Sequence, residues 1–512
     1  MRADAVQVLK LLAVSVLGAF IFQWPLLVYG KPNVFMEDSI HYVKHGQIMW
    51  DRLGSLLSSL LQESAAQSGP AAASAGGGGG SGSAGGGGLD LGNRLAAATG
   101  DVVKVRSIPY ALFAAGFYAT PIGAMGTLIA QTAVVLFCFA AVFVDMIGRP
   151  RAMMAAAVLL MLAGTTLPIY ATFLMPDTLA AAILLYAILI SRGTEHLGPL
   201  TLMALMGAAA FATISHHGFL PLAVSVIGAA LVVLALFGRL TWVALALGIV
   251  PIVLPMLLNL GGSAVAFGES SVAPRRMPFL ITRSISDGPA RWHLEEHCPA
   301  AGYHICEVFS EGIPERYGQI MWGKRGLAQL PLEDLDEVRA EESTIVMRAF
   351  LEYPIQQSIA FLQRAFHLLP MVTVEGYFAG RPRMGDGGIY VLPRSEAELI
   401  PLPEWWRTVH RVVIVGSLGL LLWLIATGGR VLGSKERRII LVLSAGIALN
   451  ALVFGGLSAV DPRYQTRVGW LIPACAAALL LARTARREQQ LYDEVAGGSL
   501  AQGGARSTRA EP

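Results

Sequence analysis

Long apolar runs separated by short polar connections occupy most of the chain. Their lengths are close to the roughly 20 residues with which a helix crosses the hydrocarbon core of a bilayer. Such runs lie near residues 8–29, 122–146, 152–172, 178–191, 198–214, 218–237, 240–260, 409–427, 439–457 and 467–482. The pattern predicts an all-α polytopic membrane bundle of about ten transmembrane helices, of which the fourth and fifth are short enough to be tilted or broken.

The polar stretches between these runs divide the chain into six parts. These are a first transmembrane helix (1–30), an outer loop (31–121), a transmembrane bundle (122–260), an extracytoplasmic loop domain (261–407), the last three transmembrane helices (408–483) and a cytoplasmic tail (484–512). Residues 62–88 are glycine-rich and low in complexity, so we expect no packed structure there. Interfacial helices are predicted on either side of them at 40–61 and 107–118. Helices are also predicted at 333–353 and from Pro354 to 369, which gives the loop domain a small mixed or helical fold. The tail is expected to be disordered.

The first apolar run has two interpretations. Arg2 precedes it, as a basic residue precedes the apolar part of a secretory signal peptide. The run is long, however, and no small-x-small cleavage site closes it at residues 24–30. We therefore expect a retained first helix.

Lys and Arg residues set the expected orientation, because the cytoplasmic loops of membrane proteins carry an excess of them. With a cytoplasmic N-terminus, every second connection is basic, through Arg149, Arg151, Arg192, Arg239, Arg430, Lys435, Arg437, Arg438, Arg483, Arg486 and Arg487. Both termini are then cytoplasmic, in a bacterial inner membrane, and the outer loop and the loop domain face outward.

Composition agrees with this membrane assignment. Hydrophobic residues make up 54% of the chain and charged residues 14%, whereas about 25% charged residues is usual for a soluble domain. The net charge of +3 gives no reason to expect nucleic acid as a partner.

The cysteines fall into two kinds. Cys138 and Cys475 lie in predicted spans, as inert apolar fillers. Cys298 and Cys306 share the loop domain, and in an oxidising periplasm we expect a disulfide between them. Three histidines lie near this pair with a spacing that fits no established zinc pattern, namely His293, His297 and His304.

Polar clusters fall at the outward ends of the predicted spans, where charge near lipid is costly and invites a functional role. Their members are Glu37, Asp38, His41 and Tyr42 after the first span, Asp177 after the third, His216 and His217 after the fifth, and Asp461, Arg463, Tyr464 and Arg467 between the last two. Each cluster also has a plainer interpretation that stays open. Glu37 and Asp38 would be a solvated acid pair, and His216 and His217 an interfacial pair. Asp461 and Arg463 would be an ion pair at a turn. Their shared position on one membrane face favours a site.

The residues at the span centres help to distinguish a transporter from an enzyme. A secondary transporter concentrates ionisable residues and broken helices near the bilayer midplane. Here the centres are mostly Leu, Ala and Val, with Gln131 and Asn450 as the main polar exceptions. An enzyme at the outer leaflet therefore fits better than a lipid or polysaccharide flippase. A non-catalytic envelope assembly protein is the third interpretation.

Short motifs in these clusters resemble those of the GT-C superfamily of glycosyltransferases, which use polyprenyl-phosphate sugars. Protein O-mannosyltransferases and the lipid A aminoarabinose transferase belong to this superfamily. The resemblance lies in the acidic Glu37-Asp38 pair after the first span, in Pro176-Asp177 and in Arg463-Tyr464 before an apolar, proline-containing span. The loop domain before the last three spans and the glycine-rich insertion depart from the family's usual arrangement.

The resemblance implies that a sugar passes from a polyprenyl-phosphate donor to a lipid, glycan or protein acceptor by inverting direct displacement. Asp38, with Glu37 as second choice, is then the carboxylate base, and Arg463 and Arg467 hold the leaving phosphate. Substrate contacts are expected from His41, Tyr42, Asp177, His216, His217 and Tyr464. No spacing requires a metal, although these carboxylates and imidazoles are compatible with a divalent cation.

Overall fold

The computed structural model describes residues 2–67, 106–147, 152–193, 197–267, 269–298, 300–385, 390–392, 397–427 and 433–484. Most of the predicted glycine-rich insertion, the basic residues Arg149, Arg151 and Arg430, and the predicted tail lie outside these residues.

Helices dominate the described chain. Its first half contains α1 (Arg2–Ile21), α2 (Trp24–Tyr29), α3 (Met36–Gln67), α4 (Ile108–Tyr118), α5 (Gly123–Ile147), α6 (Ala152–Ala163), α7 (Leu167–Ala171), a 3-10 turn (Pro176–Leu179), α8 (Ala180–Arg192), α9 (Pro199–Ile214), α10 (Phe219–Leu236) and α11 (Trp242–Phe267). Its second half contains α12 (Phe279–Asp287), α13 (Pro289–His297), α14 (His304–Val308), α15 (Tyr317–Trp322), a 3-10 turn (Leu327–Gln329), α16 (Leu332–Glu352), α17 (Pro354–Leu368), α18 (Glu404–Thr427), α19 (Ser434–Leu457) and α20 (Pro462–Gly469).

Seven helices of the described chain are long and apolar enough to cross a membrane. They are Ala3–Tyr29, Gly123–Ile147, Phe219–Leu236, Trp242–Ala264, Glu404–Thr427, Ser434–Leu457 and Pro462–Thr484. Shorter apolar helices occupy Ile108–Tyr118, Met153–Ala163 and Pro199–Ile214. The prediction of an α-helical, multi-pass membrane protein is therefore confirmed at this level.

Helix α8 forms the centre of the bundle. All of its 13 residues are buried, and α5, α9, α10 and α19 pack around it. A helix that is apolar on every face requires such enclosure. Because α8 begins immediately after the Pro176–Leu179 turn, its fixed position also fixes Asp177 at one end of the bundle.

Two predicted spans are each broken into two helices. The first breaks between Ile21 and Trp24, one residue before Pro25, and the third breaks after Ala163, shortly before Pro168. Proline lacks the backbone N–H that continues a helix and clashes with the preceding turn. Gln23 joins the two regions, because its Nε2 donates a 3.3 Å hydrogen bond to the Ala171 carbonyl.

The segment 261–407 has its own apolar core, to which Ile281, Leu294, Ile320, Leu335 and Ile345 contribute. Helices α16 and α17 lie within a residue of the bounds predicted for them. The predicted disulfide between Cys298 and Cys306 is present, with Cα atoms 5.7 Å apart.

Two small antiparallel sheets complete this segment. Strand β1 (Gly376–Ala379) pairs with β4 (Glu398–Pro401), and β2 (Arg383–Met384) pairs with β3 (Tyr390–Val391). In the first sheet Gly376 lies opposite Pro401.

Helix α17 packs directly on the end of α19. A Cβ built on Gly455 would lie 2.9 Å from the Arg364 carbonyl oxygen, so only glycine permits this approach. The Arg364 guanidinium donates to the carbonyls of Gly455 and Gly456, at 3.1 and 2.8 Å. Carbonyls at a helix C-terminus have no partner within the helix and carry partial negative charge, so a cation stabilises them. The contact attaches the 261–407 segment to the bundle.

Candidate functional site

Asn33 fixes the chain just before α3. Its backbone N–H donates to the Thr172 carbonyl and its carbonyl accepts from the Leu174 N–H, both at 2.9 Å. The next residue, Val34, donates to the Phe378 carbonyl of β1 at 2.8 Å. This pairing holds the start of α3 between the α7 region and the small sheet. Asp38 in the first turn of α3 is thereby placed at the end of the bundle.

Arg106 lies directly against Asp38. Ser107 caps the N-terminus of α4, and its hydroxyl donates a 2.6 Å hydrogen bond to the carbonyl of Ile214 at the end of α9. With its neighbour anchored in this way, the Arg106 guanidinium forms a direct ion pair with Asp38 Oδ1. Arg106 was not singled out from the sequence.

Arg463 reaches Asp38 from the other side. Asp461 caps the N-terminus of α20 by accepting from the Arg463 N–H at 3.0 Å. The Arg463 side chain places Nη1 3.8 Å from Asp38 Oδ2 and Nε 3.3 Å from Asp461 Oδ2. Its guanidinium also covers the Phe35 ring at 3.9 Å. The Asp38 carboxylate is therefore flanked by two guanidinium groups.

A second ion pair lies deeper in the bundle. Arg467 Nη1 donates to Asp177 Oδ1 at 2.9 Å, with the two side chains only 0% and 2% exposed. The Arg467 guanidinium also lies 3.9 Å from the centre of the Phe454 ring. Desolvated charges of this kind need a close partner of opposite sign. Asp177 and Arg467 thus lie behind the cavity wall, where they stabilise the residues that line it. From the sequence, both were expected to contact substrate.

A cavity of about 760 Å³ lies between this end of the bundle and the 261–407 segment. Its ionisable lining among the described residues consists of Asp38, Arg106, His216, His217, Arg276, Asp461 and Arg463, together with the phenols of Tyr42, Tyr317 and Tyr464. Apolar aromatic rings on its wall are those of Phe35, Phe279, Trp322, Phe378 and Phe454. Paired carboxylate and guanidinium groups beside flat apolar surfaces suit a ligand with an anionic group and a sugar-like or ring-shaped part.

Most of the predicted site residues converge here. Asp38, Tyr42, His216, His217, Arg463 and Tyr464 line the cavity. Tyr464 stacks on Phe454 at 4.9 Å and accepts a 3.0 Å hydrogen bond from Arg463 Nη2. His41 is not part of the described wall and stacks instead on His45 at 5.2 Å. The Glu37 backbone belongs to the first turn of α3, and its side chain lies outside the described residues.

Burial controls the protonation of two cavity residues. Desolvation, followed by the charge of Arg467, lowers the pKa of His216 well below its ordinary value. His216 is therefore neutral at pH 7, and its Nδ1 accepts a 3.0 Å hydrogen bond from the Gly218 N–H. Burial likewise raises the pKa of the Tyr42 phenol, so that this group is a neutral hydrogen-bond donor.

The charge arrangement favours an anionic ligand over a metal cation at this place. Asp38 is paired with Arg106 and Arg463, and Asp177 with Arg467. A guanidinium next to each carboxylate repels a divalent cation and attracts phosphate or carboxylate groups.

The cavity wall also contains residues that were not predicted from the sequence, among them Arg106, Arg276, Tyr317 and Trp322. Arg106 did carry a signal, because the predicted orientation puts it outside, and the charge bias of membrane proteins makes arginine less common there. Tyr317 and Trp322 belong to a segment whose position over the bundle depends on tertiary packing.

The two polar residues of the span centres have internal partners. Gln131 accepts from the Tyr110 hydroxyl at 2.6 Å and donates to the Phe173 carbonyl at 2.7 Å. Asn450 donates to the Tyr464 carbonyl and to Gln465 Oε1, at 2.7 and 2.8 Å. Both amides thus hold together the backbone that carries the site.

Comparison of the chain with protein-family models, with curated proteins and with solved structures found no match.

Proposed function

We propose that the protein is a GT-C-type membrane glycosyltransferase. It transfers a sugar from a polyprenyl-phosphate donor to an acceptor at the outer face of the bacterial cytoplasmic membrane. The observation that carries the proposal is the Asp38 carboxylate held between Arg106 and Arg463 in a cavity at one end of an apolar bundle. Such a site offers a base and an anion-binding pair at a depth that a membrane lipid can reach.

The arginines bind the phosphate of the donor. A planar guanidinium matches phosphate oxygens through paired, charge-assisted hydrogen bonds. In the structure Arg106 and Arg463 are directed at Asp38. When phosphate enters the cavity it shares these cations, and the Asp38 carboxylate becomes available to an acceptor.

Transfer then proceeds as a single inverting displacement. The acceptor oxygen or nitrogen attacks the anomeric carbon while Asp38 takes its proton. The bond between the anomeric carbon and the phosphate oxygen breaks, and its electron pair leaves with the phosphate. General-base assistance contributes about 10²–10⁴-fold, and the two arginines stabilise the charge that develops on the leaving group. Glu37 is the alternative base.

The aromatic wall provides a place for the sugar. The cavity presents Tyr42 and Tyr464 from the bundle and Trp322 from the 261–407 segment. Flat apolar surfaces of this kind complement the C–H face of a sugar ring, while the phenol groups supply polar contacts. His216 and His217 lie on the same wall and complete the polar lining.

The donor's lipid tail also finds a complementary surface. A second cavity of about 660 Å³ lies beside the first and shares Leu280 and Leu457 with it. Its other walls come largely from apolar side chains of α16, α17 and the end of α19, such as Met347, Phe350 and Phe361. An isoprenoid chain fits this lining through burial of apolar area.

Charge at the other end of the bundle supports the proposed orientation. Arg192 pairs with Asp145 at the end of α8, and Arg438 donates to carbonyls there. This cluster lies about 20 Å from Asp177, since α8 rises about 1.5 Å per residue. A cytoplasmic position for the arginines places the cavity outside. About ten spans then require that α6, α8 and α9 cross the membrane as short or broken helices, with 261–407 as the extracytoplasmic domain.

The proposal is tested in a strain that lacks the gene and carries either wild type or a variant. Asp38→Asn removes the base, and Asp51→Asn makes the same chemical change at an exposed position of α3. We expect mass spectrometry of envelope glycans, lipids and proteins to show one sugar modification with wild type and Asp51→Asn and none with Asp38→Asn. The mass that returns identifies the sugar and the molecule that carries it.

Equal restoration by Asp38→Asn, at equal amounts of protein in the membrane, would show that Asp38 is not the base. If deletion changes no sugar modification at all, the glycosyltransferase proposal fails, and a flippase or assembly role takes its place.

A further inference from the structure

The 261–407 segment holds a cluster of metal-ligand side chains away from the cavity. One ring nitrogen each from His293 and His297 and one carboxylate oxygen from Glu352 lie within 4.8 Å of one another. The two histidines are four residues apart on α13, so they share one face of the helix. Glu352 is the last residue of α16 and comes from a different part of the segment.

We propose that His293, His297 and Glu352 form a Zn²⁺ site. Two imidazole nitrogens and one carboxylate are a ligand set that zinc accepts, with water as the fourth ligand. Among these three residues only the histidines were noted from the sequence, and their spacing alone did not indicate a site. The third ligand, Glu352, follows His297 by 55 positions in the sequence, and folding brings it to the two histidines.

Hydrogen bonds already orient these groups. His297 Nδ1 lies 2.8 Å from the His293 carbonyl, so it donates there and leaves its Nε2 lone pair available. His293 Nδ1 lies 2.8 Å from Glu352 Oε2. Two ligands of one tetrahedral zinc ion are about 3.3 Å apart, given metal–ligand distances of about 2.0–2.1 Å. Zinc therefore replaces the bridging proton after a small outward movement of the Glu352 carboxylate.

The His293 imidazole is enclosed within the segment, where its side chain is 1% exposed. Its Nδ1 is directed at Glu352. A metal ion held there would be shielded from solvent on the His293 side, and a shell that excludes solvent strengthens a metal site.

The neighbouring disulfide defines the kind of site. Cys298 follows His297 directly and is bonded to Cys306, so neither offers a thiolate to the metal. Zinc would connect α13 to the bend between α16 and α17, where Tyr353 packs on Trp292 at 5.2 Å. Since α17 contacts α19 through Arg364, the metal stabilises the part of the segment that covers the bundle.

The test uses full-length protein without a histidine tag, purified in detergent under non-reducing conditions. Zinc is removed with a chelator and then added back as Zn²⁺ alone. We expect close to one zinc per chain by elemental mass spectrometry, and a melting temperature that falls on chelation and recovers on addition of zinc.

Variants give the specificity of the effect. His297→Ala and Glu352→Gln should lose bound zinc and the zinc-dependent change in melting temperature. His304→Ala should keep both, because His304 lies in the same segment against Glu337 and Asp334 instead. Wild-type protein that binds no zinc, or zinc that is retained equally by His297→Ala, would overturn the proposal. The measurement on wild-type protein does not depend on whether a variant folds. None of these measurements depends on sugar transfer.

Discussion

The charged side chains near Asp38 differ in their partners, and these partners determine which of them can contact a ligand. Arg106 and Arg463 reach the carboxylate from two separate segments, while Asp177 holds Arg467 out of solvent. In the proposed mechanism the first two arginines bind phosphate from their positions on the cavity wall. Arg467 is held by Asp177 instead, and the pair fixes the end of α20 to the 3-10 turn that precedes α8.

Replacing Arg106 tests the role of the cation pair in donor binding. Arg106→Ala should raise KM for the lipid-phosphate sugar about 10- to 100-fold, because a hydrogen bond to a charged group is worth roughly 1.5–3 kcal/mol. The KM for the acceptor should change little. Arg381→Ala removes an exposed arginine that contacts the Gly30 carbonyl and serves as the control. Initial rates with purified protein in lipid nanodiscs measure both constants, and an unchanged donor KM in Arg106→Ala would contradict the assignment.

His45 introduces a pH dependence of stability. Burial, with the nearby charges of His41, Lys44 and Arg106, lowers its pKa to about 3, whereas an unfolded histidine titrates near pH 6.5. Between these values the unfolded chain binds one proton more than the folded chain. The stabilising contribution of neutral His45 is therefore full above about pH 6.5 and is lost as the pH falls toward 3.

Replacing His45 tests this dependence of stability on pH. In His45→Gln, the free energy of unfolding should fall less steeply between pH 6.5 and 4.5 than in wild type, by up to about 1.4 kcal/mol per pH unit. Denaturant unfolding in detergent at a series of pH values measures the two slopes. Parallel slopes in the two proteins would show that His45 is accessible to protons in the folded state.

At the scale of elements, the hydrophobic pattern predicted the bounds of the long helices closely but did not predict where helices are interrupted. The span predicted at 122–146 is α5 (Gly123–Ile147), and the helix predicted at 333–353 is α16 (Leu332–Glu352). Hydrophobic periodicity and length carry that information. The breaks near Gln23 and after Ala163 depend on prolines within apolar runs and on tertiary hydrogen bonds such as that from Gln23 to Ala171. Those bonds have no local signature.

The crossing of α3 and α4 places Arg106 next to Asp38 and depends on a glycine. A Cβ on Gly46 would lie 2.0 Å from the Ala111 carbonyl oxygen, whereas nothing lies within 4 Å of a Cβ on Gly54 of the same helix. Gly46→Ala should therefore separate the two helices and destabilise the protein by about 1–3 kcal/mol, as overpacking does. Sugar transfer should fall as well, since Arg106 moves away from Asp38.

Gly54→Ala is the matched control for that crossing. Alanine in place of glycine in an exposed helix usually stabilises by about 0.5–1 kcal/mol. Thermal unfolding in detergent compares the two variants with wild type. If Gly46→Ala were as stable and as active as Gly54→Ala, the close approach of α3 and α4 would not be needed.

At the scale of the whole molecule, the charge bias of the connections predicts which end of the bundle faces outward. Ser310 is exposed in the 261–407 segment, and Leu240 is exposed in the connection between α10 and α11. Cys138 and Cys475 are free and buried, so a cysteine introduced on the surface can be labelled selectively. A membrane-impermeant maleimide should label Ser310→Cys in intact cells and Leu240→Cys only after lysis. The reverse pattern would invert the proposed topology.

The sequence placed the polar clusters at the outward span ends but could not order them in depth. Local composition does not distinguish Asp38 on the cavity wall from Asp177 behind it, since each is an acid near an apolar run. The distinction arises from partners far along the chain. Asp38 meets an arginine 68 positions later, and Asp177 meets one 290 positions later.

The separation of Asp177 and Arg467 along the sequence has a consequence for biosynthesis. A ribosome adding about 5–20 residues per second needs roughly 15 to 60 seconds to make the 290 residues that separate them. During that interval Asp177 lies at the end of an apolar helix without its cation, a costly state in lipid. Helix α8 is likewise not enclosed until α19, which packs on it, has been made. A nascent chain that stops before residue 462 lacks Arg467, so it should remain with the insertion machinery and be degraded by membrane proteases before partly folded protein accumulates.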